Sequence, residues 1–338
     1  VDLTTETVEL EINEEYLGTY DGTKPHIQTI ISKPVADETI RDEFEKGTID
    51  FYSAGTGEKI EAALTKVEEG KLDANYGLVP GTRINEMRYM CDFGPTQFEE
   101  VRRAIAYIVD RDEINKQLTG GYGTVVDCYA TDATTDFAAI KDDIESELIH
   151  YSYDLDKAKE CLEAAGYSDT DGDGIRELDG QNINLRYISY ENRLLNDFAD
   201  AQAQYLAEIG IGVVPEYGSS DDQWSKLAAL DYDLNNNNWI TVGTGDPLAY
   251  MANWATDTSY CAYSNPDYDK LYEELKGEMD PEKRKDLIFQ MQQILVDDAA
   301  VLIDGYYNSS MIYSKNVGNA HIHTADYYWL TTEITPAQ

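Results

Sequence analysis

The 338-residue sequence has no apolar run approaching the roughly eighteen residues a membrane-spanning helix needs, so none of it reads as such a span. It is short of positive charge: 26 Lys and Arg stand against 65 Asp and Glu, a net of -39, with no basic patch. A field of that sign repels phosphate backbones, which argues against DNA or RNA as a partner. The acidic residues are spread along the chain and read as a solvated, self-repelling surface. Cysteine is scarce: Cys91, Cys128, Cys161 and Cys261 form no CxxC pair, which argues against a structural zinc site of that kind. Their even number is compatible with disulfides in an oxidising compartment, while Cys161 falls at an apolar helical position where a small buried thiol is expected. There is no GxSxG, no P-loop and no HExxH, and histidine occurs only four times. A catalytic constellation is therefore absent, and the chain is expected not to be an enzyme, with a hydrolase as the alternative.

What is present is an ordinary globular composition, 42% hydrophobic and 27% charged, in a chain long enough for two domains. From Ile27 short apolar runs alternate with helical stretches. IQTII, TIDFYSA, ANYGLVP and NEMRYMCDF read as strands; ADETIRDEFEKG and GEKIEAALTKVEEG read as helices closed by Gly47 and Gly70. Such alternation predicts an α/β layer arrangement. In GPTQFEEVRRAIAYIVDRDEI, Thr96 and Glu99 have capping-box spacing. Phe98, Val101, Ile105 and Ile108 then share one face, with Arg102 and Arg103 off its centre. Asp110 with Glu113 repeats the cap for a second helix, stopped by Gly120 and Gly121. Asp154 caps a helix with Ala158, Cys161, Leu162 and Ala165 inward, and Gly166 ends it. A long helix with Leu194, Phe198, Ala201, Tyr205 and Ile209 inward ends at Gly210. Asn265 and Asp280 each precede a proline at the first helical position.

Asp169 to Gly180 reads DTDGDGIRELDG. A calcium loop of the EF-hand type wants oxygen ligands at positions 1, 3 and 5, Gly at 6 and a bidentate Glu at 12. Asp169, Asp171, Asp173 and Gly174 match, but position 12 is Gly180, leaving Glu177 or Asp179 as substitutes. The stretch is either a calcium loop missing its strongest ligand or a solvated polar turn. His321 and His323 would point to one side of a strand, with Asp326 nearby, and are candidate metal ligands or plain surface residues.

Taken in order, VRRAIAYIVDRDEI, YDLDKAKECLEAAGY, the DTDGDGIRELDG turn, LAEIGIGV, YDL with Trp239, GDP at Gly245 to Pro247, and NPDYDKLYEEL with DPEKRKDLIFQMQQIL resemble the extracellular solute-binding protein family 5 of ABC importers, the oligopeptide- and dipeptide-binding proteins. The resemblance spans Ile27 to Tyr307. It implies an α/β, two-lobed periplasmic-binding-protein-like fold of type II, here a complete lobe two with a partial lobe one. Residues 1–95 would be partial lobe one and the first crossover, 96–300 lobe two, and 301–338 the second crossover and return to lobe one. NEMRYMCDF and AVLIDGYY would be the crossover strands. Family members carry a longer N-terminal portion, so the chain is expected to be a truncated form.

The function implied is capture of peptides or a similar small solute in an interlobe cleft, with delivery to a membrane ABC permease. A monomer is implied, extracellular or periplasmic and anchored as a lipoprotein, with no cofactor. The acidic turn would be scaffold, any calcium on Asp169, Asp171 and Asp173 being incidental to transport. The ligand region of lobe two matches Asn238 to Pro247, which makes Trp239, Thr241 and Asp246 candidate contacts, Asp246 for a peptide ammonium. Many members carry that acid earlier, where this sequence has Val242, Gly243, Thr244 and Gly245; an oligosaccharide or nickel is the alternative cargo. Tyr250, Trp254, Tyr306 and Tyr307 are candidate stacking surfaces, or amphipathic aromatics of the surface or hinge.

Overall fold

The computed structural model describes residues 4–36, 39–53, 57–129, 144, 146–191, 193–243, 246–325 and 331–337. They form two compact units: Val1–Gly81 with Asn308–Gln338, and Thr82–Tyr307.

In the first unit β1 (Val8–Glu11) pairs antiparallel with β2 (Thr29–Ser32). Helix α1 (Ile40–Glu45) sets Phe44 against Tyr52 of β3 (Phe51–Tyr52), ring centroids 5.3 Å apart. Helix α2 (Glu58–Glu68) buries Ile60, Ala63 and Leu64, the i, i+3, i+4 stripe of an amphipathic helix. The two strands expected in ANYGLVP and NEMRYMCDF are one, β4 (Ala74–Tyr89), continuous through Pro80 and Gly81. Pro80 precedes the segment Arg83–Tyr89 that pairs with β10, so its missing N–H costs no hydrogen bond to that strand.

The second unit contains α3 (Glu99–Ile108), α4 (Arg111–Thr119), β5 (Gly123–Thr124), α5 (Leu155–Ala164), β6 (Glu177–Leu178), β7 (Gln181–Asn182), β8 (Asn184–Tyr190) and α6 (Leu195–Glu208). It continues with β9 (Gly212–Gly218), α7 (Ser220–Ala229), β10 (Leu234–Ile240), α8 (Leu248–Met251), α9 (Pro266–Gly277), α10 (Pro281–Asp297) and β11 (Val301–Ser314), of which the residues up to Tyr307 belong to this unit, as do those of β4 from Thr82. Its sheet runs in the order β11, β4, β10, β8, β9, with β5 against β11. Strands β8 and β9 are parallel, β8 and β10 are parallel, and β10 is antiparallel to β4. Alternation along β8 sorts its side chains by face: Leu185 and Tyr187 join the main core with Phe198 and Leu206 of α6. Ile188 instead joins a smaller cluster with Met90, Leu227 and Tyr232.

Caps read from sequence at Asp110, Asp154, Asn265 and Asp280 each accept a backbone N–H of the first turn. Thr96 does not cap α3. It lies in the short 3-10 turn Pro95–Gln97, and its hydroxyl donates to Met90 O at 2.7 Å, so Phe98 takes the N-cap position before Glu99 and is 37% exposed instead of inward. The inward face of α6 is centred on Leu195, Phe198, Ala199, Gln202 and Leu206, about one position from the expected stripe, because the sheet also claims the polar Gln202. In α5 Ala158 and Leu162 are buried while Cys161 is half-buried at the edge of that face.

Arg102 is a further correction: it is buried, not off-centre. Its guanidinium donates to Thr96 O and Gln97 O at 3.0 Å, Ala299 O at 3.1 Å and Asp298 O at 2.7 Å, satisfying carbonyls at the end of α10 and before α3. A methionine would fill the space and donate nothing. Arg102→Met is expected to lower the unfolding free energy by about 2–3 kcal/mol, the cost of orphaning buried carbonyls once held by a charged donor; urea denaturation measures it, and a loss under about 0.5 kcal/mol would mean water takes over the carbonyls.

Candidate functional site

Strand β10 reads LNNNNWI, and its asparagines are buried at the centre of the sheet. Buried amides are tolerated when paired. Gln223 of α7 donates to Asn235 Oδ1 at 2.7 Å and Asn236 O at 2.8 Å. Asn236 Nδ2 donates to Leu195 O, and Arg83 donates to Asn238 Oδ1 at 2.9 Å. Asn238 Nδ2 is a buried donor with no partner among the described residues. It immediately precedes Trp239, which is half-buried and stands opposite Ile84. The indole meets Trp224 of α7 edge to face, centroids 5.9 Å apart, and Trp224 meets Tyr260 at the same 5.9 Å. Trp224 remains 39% exposed. A part-exposed aromatic surface can stack on an apolar or planar group, while Asn238, one residue away on the strand, projects to the opposite face of the sheet.

The remaining candidates separate into two groups. Thr241 is buried, its backbone N–H and hydroxyl both donating to Thr82 O, at 3.0 and 3.2 Å. Asp246 folds its own turn: Oδ1 accepts from Leu248 N at 2.9 Å and from Arg284 at 2.9 Å. A ligand ammonium there would share the carboxylate with Arg284. Thr244 and Gly245 lie outside the described residues, while Val242 is buried.

Tyr250 and Trp254 are fully buried. They pack with Tyr129, Tyr129 to Tyr250 at 4.7 Å and Tyr250 to Trp254 at 5.0 Å, and Arg88 lies 5.0 Å over the Trp254 ring. Tyr250 donates its hydroxyl to Glu86, whose other oxygen holds Arg88 at 2.6 Å. Burial is the largest influence and works against the Arg88 charge, but Glu86 together with Tyr250, Cys261 and Tyr232 outweighs it and holds the guanidinium above its usual range. Tyr306 donates to Tyr129 O, and Tyr307 donates to Arg193 O at 3.0 Å while its ring faces Phe198. All four aromatic side chains thus have protein partners within the unit and are buried, so none of them presents an open stacking surface. Asp304, on β11, receives Asn85 at 2.9 Å and Gln202 at 2.7 Å, and burial pushes its carboxyl up to about 8 against the pull of Arg111.

Sequence reasoning missed Trp224 and Tyr260, whose helical and loop positions carry no ligand signal; their meeting with Trp239 needs the tertiary structure. In the other unit His321 and His323 lie beyond the strand Val317–Gly318 and not on one as expected; both are exposed, His321 is 3.7 Å from Glu333, and Asp326 lies outside the described residues. No helix among the described residues is long and apolar enough to cross a membrane.

Comparison with known proteins bears on these features. Residues 2–262 match the model of the bacterial extracellular solute-binding proteins, family 5. The chain is 24% identical over 340 residues to the oligopeptide-binding protein AppA of Bacillus subtilis, covering 94% of this chain and 56% of that protein. It is 23% identical over 298 residues to the dipeptide-binding protein of Escherichia coli, covering 84% of this chain and 51% of that protein. The chain spans about half the length of the curated relatives it matches. AppA of Bacillus subtilis, solved in complex with a nonapeptide, superposes with a TM-score of 0.82 at 20% identity, over 98% of this chain and 64% of that one. NikA of Brucella suis, solved with Fe(III)-EDTA, superposes with a TM-score of 0.79 at 20% identity, over 98% and 66%. These neighbours share the fold, an α/β periplasmic-binding-protein-like architecture of type II, and the named relatives are binding proteins. With the family model covering well over half of its residues, the chain belongs to the bacterial extracellular solute-binding proteins, family 5.

Proposed function

We propose that the chain is the solute-capturing part of an ABC importer, holding a peptide or a similar small solute and presenting it to a membrane permease. The observation that carries the reading is the match to the family 5 model over residues 2–262. The half-buried Trp239, with the part-exposed Trp224 against it, supplies an apolar surface suited to an extended peptide, whose side chains need tolerant apolar contact. The protein works by binding, not by covalent chemistry, and acts as a monomer outside the cytoplasmic membrane, held there by a lipid anchor.

Thermal-shift screening against peptides, oligosaccharides and Ni(II) tests this, because a ligand at 100 times its dissociation constant adds about 2.7 kcal/mol. Peptides are expected to raise the melting temperature. Trp239→Ala should weaken the peptide that binds best about tenfold, since stacking contacts of a large aromatic are worth about 0.5–1.5 kcal/mol beyond area burial; isothermal titration measures the loss. Undiminished peptide affinity in Trp239→Ala would remove Trp239 from the site, and a shift with Ni(II) alone would replace peptide by metal as the cargo.

A further inference from the structure

The acidic turn between α5 and β6 is a sequence motif that solute capture leaves unused. Ser168 and Glu177 close it as an antiparallel bridge, Ser168 N to Glu177 O at 3.1 Å and Glu177 N to Ser168 O at 2.9 Å. Within it the chain curls through Gly172 and Gly174, whose φ values of 82° and 90° lie in the left-handed region. The curl turns the aspartates inward. Asp169 receives Gly172 N at 2.7 Å and Gly174 N at 3.1 Å, Asp171 receives Asp173 N at 3.0 Å, and Asp173 receives Ile175 N at 2.8 Å.

Glu177 departs from this pattern. It is only 5% exposed, unlike the three exposed aspartates. Its Oε2 accepts from Thr170 N at 2.8 Å and Thr170 Oγ1 at 3.0 Å, while Oε1 is buried with no hydrogen-bond partner among the described residues. A buried carboxylate oxygen left unpaired is costly, so such a group marks a missing partner. One carboxylate oxygen from each of Asp169, Asp171, Asp173 and Glu177 lies within 4.8 Å of the others. Oxygens bound to one calcium at 2.3–2.6 Å are at most about 5 Å apart, so the four fit around a single ion.

We propose that Asp169, Asp171, Asp173 and Glu177 bind one calcium ion, with Glu177 supplying the buried anchoring oxygen. The donors are oxygens only, from hard carboxylates, with no His or Cys in the group, which selects calcium or magnesium over zinc or nickel. An open loop with mixed turn geometry cannot enforce the small, regular octahedron that magnesium demands, so calcium is preferred. The position-12 Glu of an EF-hand is replaced by Gly180, and Glu177 enters from position 9. Four carboxylates on an exposed turn without that bidentate ligand place the affinity among extracellular calcium modules, on the order of 10⁻⁴–10⁻³ M. The ion would clamp the end of α5 to β6 and so stiffen the second unit.

The experiment titrates the chelator-treated protein with CaCl2 by isothermal calorimetry, with thermal unfolding in parallel, against MgCl2 and NaCl at matched ionic strength. The salt controls matter because any cation screens a chain of net charge -39. Saturable binding of one calcium, at least tenfold tighter than magnesium, is expected. Glu177→Gln keeps an acceptor for Thr170, and Asp171→Asn changes an exposed residue, so both should fold while binding calcium at least tenfold more weakly. Equal responses to calcium and magnesium, or a calcium response unchanged in both variants, would overturn the site and leave only charge screening.

Discussion

Glu86→Ala is expected to cost about 3–5 kcal/mol of stability, the penalty for stripping a buried ion of its partner. Arg88 is 1% exposed, its guanidinium is held by Glu86 at 2.6 Å, and no other carboxylate is paired with it among the described residues. The truncation also deprives the buried Tyr250 hydroxyl of its acceptor. The pair as a whole need not be stabilising, because desolvating two charges consumes most of what their attraction returns. The double variant Glu86→Gln with Arg88→Met should therefore recover most of the loss. Urea unfolding at neutral pH measures all three proteins. A loss within about 1 kcal/mol for Glu86→Ala would show that water reaches Arg88 and that the pair lies in a softer environment than its burial indicates.

The second large effect is a pH dependence carried by Asp304. In the folded protein burial keeps its carboxyl protonated up to about pH 8, whereas the free side chain ionises near 3.8. Between those values the unfolded chain has released a proton that the native state retains, so raising the pH drives unfolding. Below the lower value both states are protonated and the contribution is complete; above the upper value both are ionised and it is gone. The slope attributable to this one group approaches about 1.4 kcal/mol per pH unit between those limits. Asn85 Oδ1 has no partner among the described residues as the amide is oriented, and turning that amide over would offer an acceptor to the acid proton. Asp304→Asn mimics the neutral acid and cannot ionise. Stability of the wild type minus that of Asp304→Asn, followed by urea unfolding across pH 4 to 8, is expected to fall as pH rises. Parallel profiles would mean that Asp304 ionises normally in the fold.

The two predictions share a cause that bears on what could be read beforehand. Periodicity marked the amphipathic helices, because an apolar stripe at 3.6-residue spacing is a local property of the chain. Local chemistry also marked the caps at Asp110, Asp154, Asn265 and Asp280, since the capping oxygen reaches only its own first turn. The aspartate spacing of the acidic turn was legible for the same reason. Thr96 had the same local spacing and failed as a cap, because a distant carbonyl, Met90 O, took its hydroxyl. Arg102 was placed off-centre by pattern and is buried, because the carbonyls it serves come from Asp298 and Ala299 as well as from its own neighbourhood.

Sequence alone determined the alternation of strands and helices in outline, the four helix starts at Asp110, Asp154, Asn265 and Asp280, the acidic surface and, through motifs in a fixed order, the family. Only the tertiary structure decided which polar groups lie inside. It set Glu86 beside Arg88 under Trp254, joined Asp304 to Asn85 and Gln202, brought Trp224 to Trp239, and left one oxygen of Glu177 buried without a partner among the described residues. The physical reason is range: propensity and capping act over a few residues, whereas burial and its electrostatic consequences depend on what the rest of the chain packs against each group.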